Sequence, residues 1–253
     1  MRLIVDVGNT RAKYAVFDED KIVCQGVVLR RYSSRIVRLV KGKYSVNSAI
    51  VTNTSDIGAE LMNFLKSMPV FIHLDHNTPV PIQNCYANPG ELGKDRLAAA
   101  VGAYTGFSGK NALIIDMGTC ITMNLLADGK FLGGNISPGL NMRLKAMHHF
   151  TAKLPSVPLG LPLEDIGTST IHAMQNGAVK GAFREIETFI GEVHHKYGAI
   201  NVILTGGDAV LFANYTKNKI FVSPYLVLEG LNEILKYNDH TISDGSNSAN
   251  SSE

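Results

Sequence analysis

Long apolar runs are missing from this chain, and no segment approaches the ~20 consecutive apolar residues that span a bilayer. Nor is there an excess of one charge. The net charge is +2, with Lys and Arg scattered. The one mild basic cluster, Arg30 to Lys43, alternates with Ile36, Val37, Leu39 and Val40. That pattern predicts a solvated helix face rather than a nucleic-acid patch. Cysteines are few and odd in number. Cys24, Cys85 and Cys120 lie too far apart for a disulfide framework or a zinc site. Reduced thiols and a cytoplasmic location are therefore expected. The N-terminus carries one basic residue, and Asp6 follows only three apolar ones. This predicts a first strand and not a signal peptide.

What is present is ample core material, a hydrophobic fraction of 45%, and one motif that occurs twice. Asp6-Val7-Gly8-Asn9-Thr10 follows Leu3-Ile4-Val5, and Asp116-Met117-Gly118-Thr119-Cys120 follows Ala112-Leu113-Ile114-Ile115. Each copy leads into alternating, strand-like sequence with a turn. Those turns are Asp18-Glu19-Asp20 in the first and Ala127-Asp128-Gly129 in the second. A strand ending in Asp, a glycine turn and a returning hairpin, seen twice, predict a duplicated nucleotide-binding unit. Glycine lets backbone amides approach phosphate oxygens. The carboxylates would repel bare phosphate, so their role is on a cation that bridges to it.

Between and after these copies the pattern alternates. A helix is expected over 31–42, a strand over Ser48–Asn53, a helix over Ile57–Ser67, a strand over Val70–His73 and a proline-rich loop over 79–89. A packed helix follows from Asp95 to Tyr104. The second half repeats the order and closes with the strand Asn201–Leu204, the turn Thr205-Gly206-Gly207 and a helix over Leu226–Leu235. This predicts an α/β fold with mixed sheets. The domains are placed at 1–110 and 111–242, followed by a mobile Ser/Asn-rich tail at 243–253.

Several segments carry candidate chemistry. Pro89-Gly90-Glu91-Leu92-Gly93-Lys94-Asp95-Arg96 opens a helix. Asp95 reads either as an N-cap or as a base, flanked by Lys94 and Arg96 in a charged cluster able to hold an anionic substrate. Gly133 to Gly139 reads as an anion-binding helix entry or as a connector. Gly167 to Thr170 precedes a helix, where hydroxyls ordinarily cap. The pairs His148-His149 and His194-His195 point about 100° apart on a helix, which suits surface positions better than a shared metal. Cys120, beside a phosphate turn, reads as a small buried thiol.

Taken in order, Asp6 to Thr10, Pro89 to Arg96, Asp116 to Thr119, Gly133 to Gly139 and Thr205 to Gly207 resemble the type III pantothenate kinases. The resemblance runs from residue 3 to about 235. It implies the acetate kinase, sugar kinase, Hsp70 and actin superfamily, with two ribonuclease-H-like domains around a central cleft, and a homodimer. It implies ATP-dependent phosphorylation of pantothenate to 4′-phosphopantothenate in coenzyme A biosynthesis, with Asp95 as catalytic base. ATP would meet Asp6, Val7, Gly8, Asn9, Thr10, Arg11, Ala12, Lys13 and Thr119. Pantothenate would meet Tyr86, Gly93, Lys94, Asp95, Arg96 and Thr170. Asp116 would bind a monovalent cation, potassium or ammonium, and Asp6 would face magnesium. Cys120 departs from the commoner Ala, and Ser169 stands where the family more often has Asn. A non-catalytic regulator on the same fold, or a kinase for another small alcohol, are the alternatives.

Overall fold

The structure is a computed structural model that describes residues 1–54, 56–107, 111–160 and 166–248, with side chains through residue 239. It divides into two compact units. Unit 1 holds residues 1–109, 128–132 and 225–253, and unit 2 holds 110–127 and 133–224.

Unit 1 begins with three antiparallel strands, β1 (Arg2–Val7), β2 (Arg11–Asp18) and β3 (Lys21–Leu29). Short helix α1 (Arg35–Val40) leads to β4 (Ser48–Asn53), and α2 (Ala59–Lys66) leads to β5 (Val70–His73). Both β4 and β5 are parallel to β1, giving the order β3-β2-β1-β4-β5. The alternation of side chains sorts the two faces of this sheet. On one face Leu3, Val5 and Val7 join Ala12, Tyr14, Ala49 and Val51 in a core closed by Ile36, Val40, Leu61 and Leu65 of α1 and α2. Each such aliphatic side chain contributes about 2 kcal/mol on burial. The other face carries Ile4 and Ile50, both fully buried. After the short strand β6 (Gln83–Asn84), helix α3 (Lys94–Gly106) packs on β4.

In unit 2, β7 (Ala112–Met117) pairs antiparallel with β8 (Cys120–Ala127), which is followed by β9 (Lys130–Pro138). Helices α4 (Leu140–His149) and α5 (Thr170–Tyr197) precede β10 (Asn201–Thr205), α6 (Ala209–Ala213) and β11 (Ile220–Val222). Strands β10 and β11 run parallel to β7. The sheet order is β11-β10-β7-β8-β9-β6, and β6 with the opening residues of β9 counts with unit 1. The sequence β9-β8-β7-β10-β11 repeats the topology of β3-β2-β1-β4-β5, so the duplicated motif sits on a duplicated sheet. The α5 residues Phe183, Ile186 and Ile190 pack on Leu113, Ile115, Val202 and Leu204.

Two expectations change. Gly133 to Pro138 is the second half of strand β9, not a loop entering a helix. The last helix, α7 (Leu226–Ser248), is longer than expected and belongs to unit 1, not to a contiguous C-terminal domain. Its Leu228, Leu231, Ile234 and Leu235 are buried, and it packs on α3, β1 and β4. Asn238 Nδ2 donates to the Pro79 carbonyl at 3.0 Å, and Arg2 Nε donates to Asn232 Oδ1 at 2.8 Å. Of these distant partners, Asn238 lies beyond Leu235, the expected end of the helix. The rest of the expected tail, residues 249–253, and part of the 109–111 boundary lie outside the described residues.

Helices α3 and α7 cross backbone to backbone at Gly102 and Gly230. A Cβ on Gly230 would overlap the Ala98 carbonyl, and one on Gly102 would overlap that of Leu226. Gly230→Ala should therefore destabilise the protein by about 2–3 kcal/mol, the overpacking range. An unchanged urea-unfolding midpoint would rule out this crossing.

Candidate active site

The first glycine turn closes the β1–β2 hairpin. Asp6 is the penultimate residue of β1 and is 8% exposed. The Gly8 amide donates to the Arg11 carbonyl at 3.0 Å, which tightens the turn. Lys13 of β2 lies directly opposite Asp6, and Thr52 of β4 lies directly opposite it on the other side. Paired residues on neighbouring strands share a face. Lys13, Asp6 and Thr52 therefore form a row of ammonium, carboxylate and hydroxyl across three strands. Thr52 is 1% exposed, and its hydroxyl oxygen has no hydrogen-bond partner among the described residues. Sequence reasoning missed Thr52, because only the β1–β4 register brings it beside Asp6.

The second polar segment opens α3. Gly93, not Asp95, is the N-cap, so Asp95 sits in the first turn, where the helix dipole favours a carboxylate. Asp95 is half-buried, and its Oδ1 accepts from the Arg96 backbone amide at 2.9 Å. The neighbouring cations are placed differently from the flanking pair expected. Lys94 Nζ donates to the Leu92 carbonyl at 2.9 Å and to that of Gly90 at 3.3 Å. The Arg96 guanidinium is buried, 5.6 Å from the Tyr86 ring centre and 5.8 Å from that of Phe131. Tyr86 and Arg96 are thus brought together as a cation–π pair. Phe131, which the sequence did not single out, backs them both.

Unit 2 carries the second and third glycine turns. Asp116 at the end of β7 pairs in register with Thr205 of β10. The Gly118 amide donates to the Cys120 carbonyl, and the Gly139 amide to that of Thr119, at 3.0 and 3.1 Å. The Asp208 amide donates to the Met117 carbonyl at 3.0 Å. Gly206 has φ +94, and a Cβ there would collide with Asp116 Oδ1 and the Met117 backbone. Three segments separated in sequence, at 116–120, 139 and 206–208, therefore gather around one strand end. Thr170 is the first residue of α5. The cap itself is Ser169, whose hydroxyl accepts from the His172 amide at 3.3 Å. His148, His149 and His195 are exposed and His194 is half-buried, with His148 Nδ1 near the Leu154 carbonyl and His194 Nδ1 near that of Gly198. Cys120 is half-buried, and all three cysteines are free thiols.

The donor sets bear on the cations expected. Among the described residues no three His, Cys, Asp or Glu side chains converge on a point. Magnesium usually takes one or two carboxylates, waters and substrate phosphates. Asp6 has that character, and the orphaned Thr52 hydroxyl beside it adds a polar atom that a hydrated ion can use. At Asp116 the glycine at 206 lets the backbone pack directly against the carboxylate, where a side chain would clash.

Gly206→Ala should cost about 2 kcal/mol or more, from left-handed backbone strain and the clash. Gly207→Ala should cost little, since no atom lies within 4 Å of a Cβ there. Equal thermal midpoints for the two variants would contradict this geometry.

A family model described as type III pantothenate kinase matches residues 2–192. A type III pantothenate kinase of Bacteroides fragilis (strain ATCC 25285) is 44% identical over 244 residues, covering 96% of this chain and 100% of that one. Among solved structures, a Campylobacter jejuni protein described as of the Baf family of transcriptional activators aligns with TM-score 0.62 and 24% identity, over 94% of this chain and 99% of that one. The activator of 2-hydroxyisocaproyl-CoA dehydratase from Clostridium difficile, with bound ADPNP, aligns with TM-score 0.55 and 16% identity, over 97% of both. At these identities the two structures show the fold alone, an α/β fold. Family model and sequence identity together go further: the chain belongs to the type III pantothenate kinases.

Proposed function

We propose that this protein transfers the γ-phosphoryl group of ATP to the primary hydroxyl of pantothenate, giving 4′-phosphopantothenate and ADP in coenzyme A biosynthesis. The observation that carries the reading is family membership over nearly the whole chain, with the Asp-Gly turns and the Asp95 segment intact. In the reaction the hydroxyl oxygen bonds to the γ-phosphorus as the bond to the β–γ bridging oxygen breaks. Asp95 accepts the hydroxyl proton, and its backbone hydrogen bond within the first turn of α3 fixes its orientation. Catalysis of this kind rests on positioning and charge neutralisation. Magnesium on Asp6 would supply neutralisation at the phosphates.

The chain's own groups supply the rest. Residues 6–13 form the first phosphate turn, with Lys13 beside Asp6. Thr119 lies in the second phosphate turn, and Thr205 to Gly207 would line the adenosine site. Tyr86, Gly93, Lys94, Arg96 and Thr170 are the proposed pantothenate contacts. The stacked, buried Arg96 is suited to orienting a carboxylate. Asp116 would hold potassium or ammonium. A homodimer is proposed as well, supported by the exposed apolar side chains of Ile136, Phe150 and Ile166 in unit 2, which are 60%, 81% and 80% exposed. The free thiols support a cytoplasmic location, and no described helix is long and apolar enough to cross a membrane.

A coupled ADP-release assay over pantothenate and a panel of sugars tests the reading, with turnover expected on pantothenate alone. Asp95→Asn should leave folding and ATP binding nearly intact and lower turnover ~100-fold or more, about 2.7 kcal/mol in barrier height. Near-normal turnover in that variant would remove Asp95 from its role. Activity should also require potassium or ammonium, and full activity in a sodium-only buffer would overturn the Asp116 assignment.

A further inference from the structure

Thr52 carries a polar group that the proposed reaction does not use. Its side-chain oxygen is buried without a hydrogen-bond partner among the described residues, in a residue 1% exposed. An unsatisfied buried hydroxyl opposes folding, and such groups are rare enough that each calls for an explanation. A threonine that served packing alone would be served better there by valine, which has the same shape. The position is not arbitrary. Thr52 is the cross-strand partner of Asp6, on the face of the sheet opposite the core formed by Val5, Val7 and Val51. Lys13 completes the row on the other side. The row lies at the carboxyl ends of two parallel strands, the edge at which open α/β sheets bind ligands.

We propose that Thr52 is a positioning residue for the hydrated magnesium of the nucleotide, its hydroxyl oxygen accepting a hydrogen bond from a metal-bound water beside Asp6. The inference rests on the reading that Asp6 faces that ion. Magnesium keeps several of its waters when bound through one carboxylate and phosphates. Those waters are strong donors that need fixed acceptors. Adjacent strands are about 4.8 Å apart, so a group one strand away from the carboxylate is suited to the ion's hydration shell rather than to direct coordination. The hydroxyl is thus left unsatisfied until the ion arrives.

The test is calorimetric titration of the full-length protein with ADP, with and without magnesium, alongside thermal unfolding of the nucleotide-free protein. Thr52→Val should keep or raise the nucleotide-free melting temperature and leave metal-free ADP affinity unchanged. It should reduce the magnesium-dependent gain in ADP affinity about 10-fold or more, the range for groups that support a metal's ligands. Thr52→Ser, which restores the hydroxyl, should recover most of that gain. A Thr52→Val protein with the full magnesium-dependent gain overturns the proposal. If the valine variant does not fold, Thr52→Ala replaces it, and equal magnesium-dependent gains for the alanine and serine variants overturn the proposal likewise. Asp6→Asn separates the two readings. Wild-type protein with no magnesium-dependent gain sinks the assignment of the ion to Asp6. A gain lost in Asp6→Asn but kept in Thr52→Val sinks only the role of Thr52.

Discussion

Each unit is organised by one strand that pairs antiparallel on one side and parallel on the other. An antiparallel partner returns through a tight turn, so β1 and β7 each end in a turn whose glycine amide closes back on the hairpin. A parallel partner needs a crossover, and it therefore finishes at the same edge. That mixed pairing forces the carboxylate, the glycine turn and the end of the next strand to share one edge. Asp6 and Thr52 meet in this way in unit 1, and Asp116 and Thr205 in unit 2. No contact between side chains far apart in sequence is needed to bring them together, because the backbone register does it.

The same constraint requires close backbone approach, which a few glycines allow. Gly206 brings the end of β10 against the Asp116 carboxylate. Gly102 and Gly230 let α7 lie on α3, whose first turn carries Asp95. A methyl group at such a position would act on the site through the packing beneath it.

Equal topology has not produced equal chemistry. In unit 1 the strand-end carboxylate stands in a row with a lysine and a buried hydroxyl, a setting suited to a hydrated divalent ion. In unit 2 the corresponding carboxylate, where a monovalent ion is proposed, is hemmed by backbone and glycine. Asp95, Arg96 and Tyr86 lie outside the repeated strand order, whereas Phe131, behind the Arg96–Tyr86 pair, lies in β9.

The sequence by itself determined the elements and the repeat, because strand alternation, glycine turns and helix starts are written in neighbouring residues. Asp6, Asp95 and Asp116 stood out as candidates for that reason, and the family and its reaction were legible in the order of the motifs. Only the tertiary structure decided what depends on register and distant packing. It placed Thr52 beside Asp6 and Phe131 behind Arg96, turned Lys94 toward loop carbonyls, and made residues 133–138 a strand. It also docked the C-terminal helix on the first unit through Asn232 and Asn238. Apart from the local Lys94 contacts, those outcomes join residues dozens to hundreds of positions apart, and local periodicity carries no record of such pairings.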